Sequence, residues 1–460
     1  MMKNNLLQTS AIIVALLGAM PTIALAAETS PSAAEVNQAL LDRIARLETE
    51  LGDLRELVQQ SVSNAASAQE TANNAEKTAD NVQKTVKTVE RLASKVAKSA
   101  DSASDIQWHL VGYADAGFVA SSRPGADSFV TGKFNPAFHF QYKDFFLYES
   151  ELEFTTTADG ETNIELEYSQ FNIFLNDYAT LVVGKYLSPI GQFQERLHPS
   201  WINKMQTAPA GFGHDGIQPS SDTGLQLRGA VPLGNTRLAY SFMVGNGPRT
   251  NIEGGVKVEG MGSDDNSNKS FGGRIGFFPV PYLELGGSYL NAKVNGYAGG
   301  PSAAHEGISG ITSVTTGPTD ATYELWGFDA AYTKGPLHGR FEYLNSTRDT
   351  LFSVTDVAPT GELLPQFGME AWYGQVSYRL SGLGDSNLVK KLEPVIRYGE
   401  FRITGRDELS AENSQNRFNL GLNYWMAPTV VTKVGLEWRD YKDAGVQDDT
   451  RYQFQVSYGF

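Results

Sequence analysis

Basic side chains recur at alternate positions along stretches of β-like composition: Arg228, Arg237, Arg274, Arg340, Arg379, Arg397, Arg417, Lys433, Arg439 and Arg451. Side chains of a strand point alternately to its two faces, so these groups share a face with Glu284, Asp329, Glu342, Glu393 and Glu437. The opposite face is apolar, as in Leu238, Tyr240, Phe242 and Val244, or Phe418, Leu420, Leu422, Tyr424 and Met426. Glu149, Glu151, Glu153, Glu165 and Glu167 alternate in the same way on two adjacent earlier stretches. The chemistry open to such groups is electrostatic. Guanidinium groups grip planar carboxylates and phosphates through a fork of donors. An acidic strip facing a basic wall across a narrow aqueous space would orient dipolar and anionic solutes. The excess of arginine predicts a modest preference for anions.

Covalent chemistry has no comparable signal. There is no GxSxG, HExxH or P-loop pattern, so no enzyme and no cofactor are expected. A barrel-built enzyme would need a Ser/His or Asp/His constellation near its rim. The spacing of His198, His214 and Asp215 fits no metal motif, and Asp264 to Asn268 lacks the glycine and closing glutamate of a calcium loop. No metal site is expected.

Strands must position the alternating charges. Period-two candidates fall at 107–120, 134–143, 145–157, 162–174, 178–187, 222–232, 235–246, 269–279, 281–295, 322–335, 337–348, 367–381, 388–403, 413–427, 429–442 and 449–460, sixteen in all. Their connections alternate between short turns, such as Lys143-Asp144, Gly335-Pro336 and Ala427-Pro428, and long Gly/Ser/Asp-rich segments at 188–221, 247–268, 296–321 and 349–366. A soluble sandwich has no reason to alternate in this way. A membrane barrel with short periplasmic turns and long external loops does. The expected fold is therefore all-β, a 16-stranded antiparallel transmembrane β-barrel over 105–460. The last strand, RYQFQVSYGF, places Tyr452, Phe454, Val456, Tyr458 and Phe460 on one face.

Composition agrees. The chain of 460 residues has no cysteine and a formal charge of −15, which argues against a nucleic-acid partner. Past the amino terminus no apolar run reaches the ~20 residues needed for a membrane-spanning helix. The amino terminus itself combines Lys3, an apolar Ala11 to Ala19 core and Ala24-Leu25-Ala26, which predicts a cleaved export signal over 1–26.

A heptad repeat follows. Leu40, Ile44, Leu47, Leu51, Leu54 and Val58 step by four and three, and the register continues through Ala65 to Ala79 and Val82 to Ala100 with Ser61 its one polar member. A strict seven-residue repeat predicts a left-handed α-helical coiled coil over 32–104, on the order of 90 Å long if fully helical. Self-association is implied; the heptads accept two strands or three. The plain expectation is an oligomerisation stalk, the alternative a rod that touches peptidoglycan.

Between the fifth and sixth strands runs LSPIGQFQERLHPSWINKMQTAPAGFGHDGIQPSSDTG, too long for a hairpin and rich in aromatic residues and proline. GKYLSPIGQF followed by ERLHPSWINK resembles the phosphate-selective porin O/P superfamily and the dicarboxylate-type porins with an N-terminal periplasmic coiled coil, and the final strand resembles the carboxy-terminal signal of outer-membrane barrels. The resemblance implies a homotrimeric porin in the bacterial outer membrane, surrounded by its lipid, with a periplasmic rod, whose third loop forms the constriction. It implies that Tyr458 and Phe460 are read by the barrel-assembly machinery, and that Lys185, Glu195, Arg196, His198 and Lys204 contact solutes. The loop lacks the dense lysine and arginine run of dedicated phosphate selection, so phosphate is one candidate among small anions. The rival readings are an envelope tether whose barrel is an anchor, and a barrel-type enzyme.

Overall fold

The structure, a computed structural model, describes residues 106–124, 127–213, 216–258, 264, 266–297, 318–355, 358, 361–383 and 386–460. The expected export signal and coiled coil, and the pair His214 and Asp215, lie outside the described residues.

Sixteen long strands form one antiparallel sheet: β1 (Ile106–Ser121), β2 (Lys133–Tyr142), β3 (Phe146–Thr156), β4 (Thr162–Asn176), β5 (Ala179–Leu187), β6 (Ser221–Leu233), β7 (Thr236–Gly245), β8 (Ser270–Val280), β9 (Leu283–Asn295), β10 (Asp320–Lys334), β11 (Leu337–Arg348), β12 (Phe367–Tyr378), β13 (Leu392–Thr404), β14 (Gln415–Ala427), β15 (Val430–Tyr441) and β16 (Asp449–Gly459). Each pairs with the next in the chain. β16 closes the ring against β1 over Tyr113↔Gly459 to Ser121↔Arg451. Beyond that ladder, Phe460 and Gly112 exchange two backbone hydrogen bonds of 2.9 Å. Closure leaves no open sheet edge, which is the condition for strands to sit in hydrocarbon.

The turns explain the alternation of connections. Gly335, at φ 59°, supplies the left-handed residue of the Gly335-Pro336 hairpin, and Lys143 (φ 50°) does the same between β2 and β3. The turns of two or three residues lie at one end with the start of β1 and the end of β16, and the five-residue turn between β3 and β4 lies at the other. At the other end two of the long connections are more ordered than their composition suggests. Arg249–Thr250 pairs with Val256–Lys257, and Leu351–Ser353 pairs with Glu362–Leu364, so each carries a small ribbon. Arg348, fully buried, donates to the carbonyls of Gly254 (2.9 Å) and Pro365 (2.7 Å) and so joins these two connections.

The outside of the cylinder is apolar. Phe242, Ile275, Phe328, Ile396, Leu420, Val434 and Phe454 are all exposed, a belt that water would not tolerate and lipid would. Toward the long-loop end the belt carries Tyr and Trp whose polar tips meet carboxylates on the same outer face: Tyr289 to Glu324 at 3.1 Å, Tyr343 to Glu370 at 3.2 Å and Trp372 to Glu400 at 3.3 Å. Amphipathic rings of this kind suit the headgroup level of a bilayer.

The core lies inside the barrel. Segment 188–220 turns inward, and its Ile190, Phe193, Leu197, Phe212 and Ile217 pack with inward residues of β9 to β13, including Leu290, Tyr323, Leu344, Met369, Tyr373 and Phe401. Phe212 meets Tyr373 edge-on with ring centroids 5.0 Å apart. A second cluster, Tyr113, Trp201, Trp425 and Val431, sits by the closing seam.

Candidate functional site

The inward segment crosses the lumen and is tied to several walls. The backbone N–H of Gly191 donates to Ser288 on β9 at 3.0 Å, and that of Gln192 to Glu342 on β11 at 2.9 Å. A short helical turn, α1 (Phe193–Arg196), then presents its charges: Arg196 pairs with Glu284 of β9 at 2.6 Å, and Glu195 lies 3.9 Å from Arg228 of β6. His198 reaches the opposite side, 3.8 Å from Glu151 of β3, and its Nδ1 lies 2.5 Å from the Gln194 carbonyl. Lys204 pairs with Glu393 of β13 at 2.9 Å. The chain then runs along β13 to β15, where Thr207 donates to Glu437 at 2.5 Å.

Burial shifts the loop's own titratable groups. It raises the Glu195 carboxyl above the ordinary carboxylate range, with Arg196, Arg228 and Arg274 opposing. It lowers the Lys204 ammonium, with Glu393 opposing.

Most of the arginine face is engaged. Arg397 donates to the Thr207 carbonyl at 2.8 Å, Arg417 to the Ala208 carbonyl at 3.1 Å, and Lys433 to the Ser200 carbonyl. Arg340 donates to the Gln192 side chain at 2.8 Å. Arg274 forms ion pairs with both Glu284 (2.8 Å) and Asp329 (2.6 Å), Arg439 pairs with Glu437 at 2.6 Å, and Arg451 with Asp449 at 2.5 Å. Arg228 reaches Asn172 at 2.8 Å and Glu149 at 3.9 Å. A sequence places like charges on one face without saying how many cancel; here interleaved acids pair Arg274, Arg439 and Arg451, while loop carbonyls occupy donors of Arg397, Arg417 and Lys433 without cancelling their charge. Arg237 and Arg379 differ, each lying over an aromatic ring, Phe278 at 3.9 Å and Trp425 at 4.9 Å.

One of the expected placements changes, and one strand carries an irregularity. Lys185 is on the outer face of β5, because its register partners Ser169 and Thr223 alternate with the inward Gln170 and Asp222; its Nζ donates to the Leu166 carbonyl at 2.5 Å. It does not line the lumen. Glu167 is the extra residue of a bulge: β3 pairs Glu151 with Tyr168 and then Leu152 with Leu166, stepping over it. The bulge adds a residue without turning the acids away from the lumen: Glu165, opposite Glu153, and the buried Glu167 alternate with the outward Ile164 and Leu166, and Tyr168, Gln170 and Asn172 take inward places after them. Glu149, Glu151 and Glu153 do form a buried row on β3.

Sequence reasoning passed over the partners of that row. Asn135 donates to Glu151 at 2.9 Å, Lys133 pairs with Glu153 at 2.6 Å, and Tyr113 donates to Glu151 at 3.2 Å. The signal was available on β2, where Lys133, Asn135 and His139 interleave with Phe134, Phe138 and Phe140. Trp425, which donates to Glu393 at 2.7 Å, is placed inward by its position between the outward Tyr424 and Met426, but nothing in the sequence points to its carboxylate partner. Tyr458 faces outward, and the Phe460 ring stacks on Phe134 at 6.2 Å.

Between the loop and β4 to β9 lies a cavity of ≈ 870 Å³ at the short-turn end, lined by Arg196, Arg228, Arg237, Arg274, Glu195 and Glu284 among others. A closed even-stranded cylinder, oily outside and charged inside, with its long fifth connection folded into the lumen, is the porin type of β-barrel. Among solved structures the chain is similar to the anion-selective porin from Comamonas acidovorans, with 11% identity and a TM-score of 0.50 over 77% of this chain and 100% of that one. It is also similar to the trimer form of OmpT of Vibrio cholerae (11%, 0.48, 77% and 100%) and to the outer membrane channel DcaP of Acinetobacter baumannii (12%, 0.46, 78% and 98%). No protein-family model matches the sequence, and no curated protein matches it.

Proposed function

We propose that the chain is a passive outer-membrane porin through which small hydrophilic solutes diffuse, with the inward loop setting the constriction. The observation that carries this reading is the loop's position: a barrel serving only as an anchor has no need of a charged segment strapped across its lumen. Guanidinium groups on the inner face favour anions modestly, carboxylates and phosphate among them. The export signal would bring the chain to the periplasm, and the heptad rod would remain there and hold barrels together as a homotrimer. Planar-bilayer recording in a KCl gradient tests both parts. Stepwise conductance with a reversal potential on the anion side is expected; absence of steps would end the porin reading, and a cation-side potential would end the anion preference.

A further inference from the structure

We propose that the charge preference of this pore is set at its short-turn mouth, by Arg237 and Arg379, rather than at the level of the inward loop. The inference rests on the pore reading above and adds the place of selection. At loop level three of the cations are ion-paired, Arg196 and Arg274 sharing Glu284 and Lys204 holding Glu393, and Arg340 spends a donor on the Gln192 side chain of the loop. Arg397 and Arg417 are buried against carbonyls of the loop itself. An ion-paired cation contributes little net field to a passing ion, and a guanidinium bonded to the loop carbonyls keeps its charge but has donors occupied by the loop, so removing it disturbs the loop.

Arg237 and Arg379 are held differently. Neither forms an ion pair among the described residues, and each guanidinium lies over a lumen-side ring. Phe278 is the direct cross-strand partner of Arg237, and Trp425 is fixed by its hydrogen bond to Glu393. Arg237 is exposed in the ≈ 870 Å³ cavity. Arg379 follows β12 at the same end, its backbone N–H bonded to Pro336 of the neighbouring turn at 2.8 Å. A guanidinium resting on a ring is fixed in place without a direct ion pair and with its edge donors free for a carboxylate or phosphate oxygen; Glu393, which acts on Arg379 across the Trp425 ring, is itself held by Lys204. Asp144 and Asp177 also line the cavity from the turns, and neither pairs with Arg237.

The test is the reversal potential of the full chain in planar bilayers under a KCl gradient, with folding verified by the heat-shifted electrophoretic mobility of the closed barrel. Replacing both groups, Arg237→Gln with Arg379→Gln, should lower the anion-to-cation permeability ratio about threefold near 0.1 M salt, and less at 1 M, where screening is short-ranged. The lysine pair, Arg237→Lys with Arg379→Lys, should recover most of the ratio. Arg340→Gln, which removes a loop-level cation, should shift it less than the double glutamine variant does. A double variant with the wild-type ratio, or a larger shift from Arg340→Gln, overturns the inference while leaving the pore intact. A chain that conducts nothing removes the pore reading as well. Should the double variant not fold, the single variants at these two surface-accessible groups carry the same comparison.

Discussion

The indole of Trp201, on the loop that crosses the lumen, lies against Gly459 of the last strand so closely that a Cβ at Gly459 would fall 2.6 Å from its ring. The contact joins the constriction to the seam where β16 closes on β1. Gly459→Ala should therefore displace Trp201 at a cost of about 1–3 kcal/mol, the usual range for overpacking. The barrel has its ladder hydrogen bonds unchanged, so the expected result is a folded protein with noisier, larger conductance steps. Steps indistinguishable from wild type would mean that the loop does not depend on this contact.

Glu437 is fully buried and takes hydrogen bonds from Thr207 (2.5 Å), Asn419 (2.8 Å) and Arg439 (2.6 Å). Glu437→Gln would leave Arg439 without its carboxylate and weaken the anchor at Thr207. Breaking one partner of such a buried pair costs about 3–5 kcal/mol. The temperature at which the folded electrophoretic form is lost should fall, and the loss should be partly restored by adding Arg439→Gln. A combined variant no more stable than the single one would show that the pair is not the source.

The pH dependence of the loop follows from Glu195. Its value in the folded protein is raised by burial, against the pull of Arg196, Arg228 and Arg274. A raised folded value means that this group's contribution to docking is complete below its unfolded value and is lost as pH rises through the folded one. Gating between docked and displaced states, recorded from acid toward neutral pH, should therefore become more frequent as Glu195 ionises. Glu195→Gln should flatten that part of the profile; a profile identical to wild type would assign it to other groups.

Lys185 offers a test of the strand faces. On the outer face of β5 it cannot meet a solute in the lumen, so Lys185→Gln should leave the reversal potential unchanged within error. A shift comparable to that of an inward arginine would reverse the assignment of that strand.

The alternation of apolar and polar residues already specified the cylinder. With one face wet and one oily, period two states which residues face the interior, and each turn follows from local chemistry such as Gly335-Pro336. Strand boundaries, the count of sixteen and the asymmetry of the connections were readable for that reason. Lys185 was not, because the turn between β4 and β5 resets which residues face inward and gives Gly184 and Tyr186 the lumen side of β5; nor was the extra residue Glu167, since a bulge has no composition of its own. Pairing was equally hidden. Whether Arg397 meets a solute or the carbonyl of Thr207 depends on contacts 190 residues apart in the chain, and hydrogen-bond geometry across a lumen is fixed by where the fifth connection folds, a choice made by the apolar packing of Phe193, Phe212 and Tyr373 rather than by any local pattern of charge.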